Sequence, residues 1–240
     1  MRTFVLCHGA WGGSYGFKRL RPLLWRAGHE VYTPSLTGIG ERSHLAHPMV
    51  DLRVHVQDLA NAIVYEDLDD IVLVGFSYGG MVVTGALDHV GDRVRHLVYL
   101  DAFVPDDGQS ALDLFSPGAS HPGLGPTADG NPSNNWQIKA VARELATPEL
   151  TAWSEARRSP QPFGTLTQPV TLSKPLEDWP VSLTFIKATA DPVESDDSAF
   201  WQAARRAEAS DRWAYHEIES DHVIPVSRPR ELTEILLALD

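Results

Sequence analysis

Short apolar runs rich in branched residues alternate along this chain with stretches whose apolar positions recur every three or four residues. Residues 3–7, 30–33, 70–74, 94–100, 181–188 and 213–218 each read as a strand, and several are apolar throughout, as strands covered on both faces are. Between them, 16–27 carries Phe17, Leu20, Leu23, Leu24 and Ala27 at helical spacing and stops at Gly28 as a C-cap. Residues 50–67 do the same with Leu52, Val56, Leu59, Ile63 and Val64, and Asp51 stands near the start, where the helix dipole favours an anion. Helices are also predicted over 81–89, 195–208 and 228–239. Strands joined by crossover helices predict an α/β fold built on a mainly parallel sheet of about six strands, and no internal repeat is present.

The alternation fails over 103–179. Eleven of the 17 prolines lie between Pro105 and Pro180, and no strand-like run occurs there. Short helices are predicted over 136–145 and 147–157, the second opened by Thr147 as N-cap with Pro148 at the first helical position. Because strand-forming sequence resumes afterwards, the segment reads as a lid inserted into one domain: core 1–102 and 180–240, lid 103–179.

Composition narrows the function classes. With 43% hydrophobic and 22% charged residues among 240, the chain falls in the globular class. A net charge of −12 opposes binding to phosphate backbones, so nucleic acid is not an expected partner. The first apolar run is too short for a signal-peptide core and no membrane span is present, so a cytoplasmic protein is expected. Cys7 is the only cysteine and fits a reducing compartment, as a small buried residue on the first strand.

The strongest chemical signal is Gly75-Phe76-Ser77-Tyr78-Gly79, a G-x-S-x-G between an apolar strand and a helical run. Such a turn exposes a serine hydroxyl at the sheet edge, which makes Ser77 the candidate nucleophile; the competing role is a glycine-rich turn. A serine needs a base, and His222 follows the last strand, where it can return to the same edge. No histidine lies at a metal-ligating spacing, so neither metal nor cofactor is expected. Two aspartates end strands between Ser77 and His222. Asp191 is expected to be the acid of a Ser-His-Asp triad, because the strand before the histidine strand is its usual source, with Asp101 as the alternative. His8-Gly9-Ala10-Trp11-Gly12-Gly13 ends the first strand with small residues, and the backbone N–H groups of Ala10 and Tyr78 are the expected oxyanion hole. Residues 37–43 begin G-x-G but place Ser43 where a dinucleotide fingerprint needs glycine, so this is read as a loop beside the site.

In this order, His8–Gly13, Gly75–Gly80, Asp191 and His222 resemble the α/β-hydrolase superfamily over nearly the full chain. The H-G-A-W-G-G start and the loop Thr37–Leu45 look like its small esterases, grouped with plant methylesterases and hydroxynitrile lyases. The resemblance implies an α/β-hydrolase fold with an inserted lid and a serine ester hydrolase working through an acyl-enzyme on a small-molecule ester, as a monomer or homodimer. Gly9 and Val223 stand where the lyases of the group carry threonine and lysine, so both are esterase-like; Phe76 replaces a histidine common before the nucleophile. A lyase, a natural-product tailoring enzyme and a receptor with a vestigial triad are the alternatives on this scaffold. Trp11, Trp136, Trp153, Phe163 and Val223 are the expected pocket residues, and activity is expected to rise with pH through the ordinary histidine range near about 6.5.

Overall fold

In the computed structural model, which describes residues 1–115, 136–140, 143–145, 147–192 and 194–239, the six apolar runs form one parallel sheet. Its strands are β1 (Thr3–Cys7), β2 (Glu30–Tyr32), β3 (Ile71–Phe76), β4 (Val94–Leu100), β7 (Ser182–Ala188) and β8 (Trp213–Ile218), in the order β2-β1-β3-β4-β7-β8. Register runs through Phe4 beside Val72, Val74 beside Val98 and Val98 beside Thr184. A second, antiparallel pair joins β5 (Gln137–Ile138) to β6 (Gln161–Pro162).

Helices cover both faces, which is why the strands are apolar on both. On one face Val5, Leu73, Leu97, Tyr99 and Phe185 pack under α2 (Leu52–Tyr65), α3 (Gly79–Val90) and α7 (Ala199–Glu208). On the other, Phe4, Leu6, Val72, Val98 and Ile186 meet α1 (Arg21–Arg26) and α9 (Pro229–Ala238). Shorter helices are α4 (Ala111–Phe115), α5 (Pro148–Glu155), α6 (Gly164–Thr167) and α8 (Ile224–Ser227). Caps set the boundaries: the side chains of Asp51, Thr147 and Ser198 accept from the backbone N–H three residues on. Because Ser198 is that cap, the helix expected from residue 195 begins at Ala199. None of the described helices is long and apolar enough to cross a membrane.

Two expectations need correction. Val64 is 44% exposed, outside the buried stripe of α2. Residues 137–138 form β5 instead of a helix, since Ile138 pairs with Gln161 and its carbonyl accepts from the Trp11 indole N–H; residues 141 and 142 of that expected helix lie outside the described residues. The ends of the 103–179 segment belong to the core: Phe103, Val104 and Ala111 at one end and Val170, Leu172 and Leu176 at the other are buried in the same cluster as α2 and α3.

Candidate active site

Ser77 stands between β3 and α3 in a left-handed backbone conformation, φ 55°. Its N–H donates to the Leu100 carbonyl at 3.2 Å and its carbonyl accepts from Phe103 N–H at 3.2 Å, so the exit of β4 holds the turn. Gly79 is required here because a Cβ would lie 2.6 Å from the Cys7 carbonyl oxygen; only glycine lets α3 start this close to β1.

Asp101 follows β4 directly, also left-handed at φ 42°, with its N–H on the Ile186 carbonyl at 2.7 Å. Adjacent strands thus deliver Ser77 and Asp101 to the same carboxyl edge, and the loop after β8 brings His222 between them. His222 Nε2 lies 2.8 Å from Ser77 Oγ, and Nδ1 lies 2.6 Å from Asp101 Oδ2. The imidazole stacks on Phe200 at 4.9 Å and 14° and meets Phe76 at 4.9 Å, which fixes its plane.

Both oxygens of Asp101 are engaged. Oδ1 accepts from Lys187 Nζ at 2.8 Å and from Ala188 N–H at 3.3 Å. Burial works to raise the Asp101 carboxyl, but the hydrogen bond and charge of His222 together with Lys187 outweigh it and hold the group below its ordinary range. Asp101 is therefore a buried carboxylate that stays ionised.

The expected acid, Asp191, is not against His222. Its carboxylate pairs with Arg143 from the inserted segment. Position explains the difference: β7 ends at Ala188, so Asp191 stands beyond the strand on a loop that turns to the segment, whereas Asp101 leaves the strand next to β3 and points along the edge. The structure thus brings Asp101, and not the expected Asp191, against His222.

The first loop is held from outside. Trp11, at φ 58°, donates its N–H to Gln161 Oε1 at 2.9 Å, accepts Ser159 N–H at its carbonyl at 3.1 Å, and donates its indole N–H to the Ile138 carbonyl at 3.0 Å. Tyr78 is anchored at its hydroxyl, 3.0 Å from His55 Nδ1, while His55 Nε2–H donates to the Thr37 carbonyl at 2.8 Å. Burial pushes the His55 imidazole down to about 3, so it is neutral and its tautomer is set by these two partners. The 37–43 loop thus lies beside the site as its sequence suggested. Ala10 and Tyr78 both line the cavity above Ser77.

That cavity has a volume of about 730 Å³ and a mostly apolar lining. Of the expected pocket residues Trp11, Trp153 and Val223 line it. Trp136 and Phe163 do not: Phe163 is buried in packing and its N–H donates to the Trp136 carbonyl at 2.7 Å, so these two belong to the support beneath β5 and β6. Sequence reasoning missed Lys187, Glu194, Gln161 and Phe200. Lys187 had a usable signal, since it is the only charged residue in the run 181–188 of a strand covered on both faces. Among the described residues no group of three or more His, Cys, Asp or Glu could hold a metal ion.

Residues 4–235 match the alpha/beta hydrolase family. The chain is 34% identical over 247 residues to a carbendazim hydrolyzing esterase of Nocardioides sp. (strain SG-4G), covering 100% of both chains. It is 36% identical over 107 residues to an alpha-hydroxynitrile lyase of Arabidopsis thaliana, covering 43% of this chain and 40% of that one. In structure it superposes with a TM-score of 0.79 on an extracellular alpha/beta-hydrolase from a Paenibacillus species, at 24% identity and covering 99% of this chain and 98% of the other. The chain belongs to the alpha/beta hydrolase family, in its esterase and methylesterase subgroup.

Proposed function

We propose that this enzyme is a serine carboxylic-ester hydrolase acting through an acyl-enzyme on a small-molecule ester, with Ser77, His222 and Asp101 as its triad. The observation that carries the reading is the unbroken hydrogen-bonded run from Ser77 Oγ through His222 to the buried Asp101 carboxylate, at 2.8 Å and 2.6 Å, opening on an apolar cavity. Ser77 Oγ attacks the ester carbonyl carbon while His222 Nε2 takes its proton. Asp101 holds Nδ1–H and stabilises the imidazolium. The N–H groups of Ala10 and Tyr78 receive the oxyanion, each supplying about 2.7–4 kcal/mol where such donors have been removed. His222 returns the proton to the leaving alcohol oxygen, and water then releases the acyl group by the same steps. The 103–179 segment, as a lid, shapes the pocket through Trp153 and Ile138.

A full-length relative described as an esterase supports the ester-hydrolysing class. Cyanohydrin cleavage is disfavoured because Val223 supplies no cation beside His222 to receive cyanide. The test is labelling by a fluorophosphonate probe together with turnover of aryl esters of increasing acyl length, in the wild type and in Ser77→Ala. Labelling and turnover are both expected to vanish in the variant; turnover that survives the loss of the hydroxyl overturns the reading.

A further inference from the structure

The proposed triad leaves one buried charge unused. Lys187 is fully buried on β7 among Phe185, Ile186 and Ala188, and sheet packing there asks only for an apolar side chain. Its ammonium donates to Asp101 Oδ1 at 2.8 Å, to Glu194 Oε2 at 2.7 Å and to the Ala188 carbonyl at 2.6 Å, and lies 4.5 Å from the centre of the Trp201 ring. Glu194 is itself nearly buried, and its other oxygen accepts from Ser198, the N-cap of α7. The charges therefore run in a row: His222, Asp101, Lys187, Glu194.

Resting on the triad reading above, we propose that Lys187 and Glu194 are positioning residues that set the pH at which His222 works as a base. Lys187 turns Asp101 so that Oδ2 faces Nδ1 and opposes the charge of the imidazolium; Glu194 offsets part of that opposition. With Lys187 in place the three buried groups behind His222 sum to one negative charge, and protonating His222 makes the cluster neutral; without Lys187 two negative charges would face the ring. Among the described residues, four other ionisable groups near this row have partners of their own, while Lys139 and Asp197 line the same cavity as His222. Asp191, on the loop after β7, pairs with Arg143. Asp221, before His222, accepts from Val223 N–H and Ser227 Oγ. Tyr215 on β8 donates to Glu217, and His8 after β1 is held between Leu36 N–H and the Gly9 carbonyl. The α7 side chains that meet the row, Phe200 and Trp201, carry no charge.

The test compares Lys187→Met, Glu194→Gln and the double variant by the pH profile of kcat/KM and by NMR titration of the His222 imidazole, assigned by its loss in His222→Gln. The two single changes have opposite signs. Removing the lysine charge stabilises the imidazolium, so the acid limb should move up by about one to two pH units, the size expected of a near charge at an effective dielectric of about 20. Removing the glutamate charge should move it down by about half to one unit, and the double variant should return to within about half a unit of wild type. Glu194→Gln keeps a partner for both Lys187 and Ser198, so it and the double variant decide the matter if Lys187→Met does not fold. Limbs that stay in place, or that move in the same direction in both singles, overturn the proposal. Turnover surviving Ser77→Ala would overturn the triad reading instead, and the NMR titration would still report whether Lys187 and Glu194 act on His222.

Discussion

Replacing Asp101 by asparagine should abolish most activity through the tautomer of His222 rather than through lost packing. Two donors, Lys187 Nζ at 2.8 Å and Ala188 N–H at 3.3 Å, converge on Oδ1. An asparagine in this place must present its carbonyl to those donors, which leaves its NH₂ group facing His222 Nδ1. Nδ1 then has to accept, the ring proton moves to Nε2, and Nε2–H points at Ser77 Oγ, where it can no longer take the serine proton. A wrong tautomer at a triad histidine costs kcat on the order of 10³–10⁴, equivalent to about 4–5.5 kcal/mol of barrier. Asp191→Asn alters the carboxylate that pairs with Arg143 and leaves both hydrogen bonds of His222 in place, so it should cost far less activity than Asp101→Asn. The assay is kcat/KM on a p-nitrophenyl ester for both variants beside the wild type, with thermal melting to confirm that each is folded. A larger loss in Asp191→Asn, or an Asp101→Asn variant that keeps more than about a tenth of wild-type activity, refutes the argument.

Three more outcomes follow from the packing around buried residues. Gly9→Ala places a Cβ 2.9 Å from Ser77 Cβ, so the nucleophile must shift; kcat/KM should fall about 10- to 100-fold and stability by about 1–3 kcal/mol, read by kinetics and denaturant unfolding. His55 is held near about 3 by burial, below its ordinary value, so the unfolded chain takes up a proton first as the pH falls. Stability from this group is present above about pH 6.5 and is lost progressively below it, by about 2 kcal/mol between pH 7 and pH 5; urea unfolding of His55→Gln should show that much less acid sensitivity than wild type, and equal sensitivity would contradict the assignment. Cys7 is fully buried and burial pushes its thiol well up, so a thiol reagent should label it only after unfolding; prompt labelling of the native protein would show the β1 edge to be open.

Much of the fold was legible because its signals are local. Apolar runs located every strand of the large sheet to within about two residues, and Asp51 and Thr147 marked the starts of α2 and α5 because a cap needs only its own turn. The two-residue strands β5 and β6 carried no period to read, and what fixes them lies far away in the chain, at the backbone and indole of Trp11. That Ser77 and His222 would meet was legible for the same reason as the caps: a G-x-S-x-G turn and a histidine after the last strand are short patterns.

The carboxylate that meets His222 was not legible, because both aspartates satisfy the sequence rule of ending a strand between Ser77 and His222. What separates them is the company each keeps in three dimensions. Lys187 lies one strand position before the last β7–β8 pair, where its ammonium reaches across to the exit of the neighbouring strand β4 and meets Asp101. Arg143 arrives from the inserted segment and draws Asp191 away from the edge. A buried lysine inside an apolar strand run requires an anion within reach, since an ammonium out of water needs a partner. In the fold that requirement is met twice, by Glu194 on the loop after β7 and by Asp101 at the exit of the adjacent strand, and not by Asp191. The lysine in the strand, more than the position of either aspartate, is the feature of the sequence that separates the carboxylate meeting His222 from the one that does not.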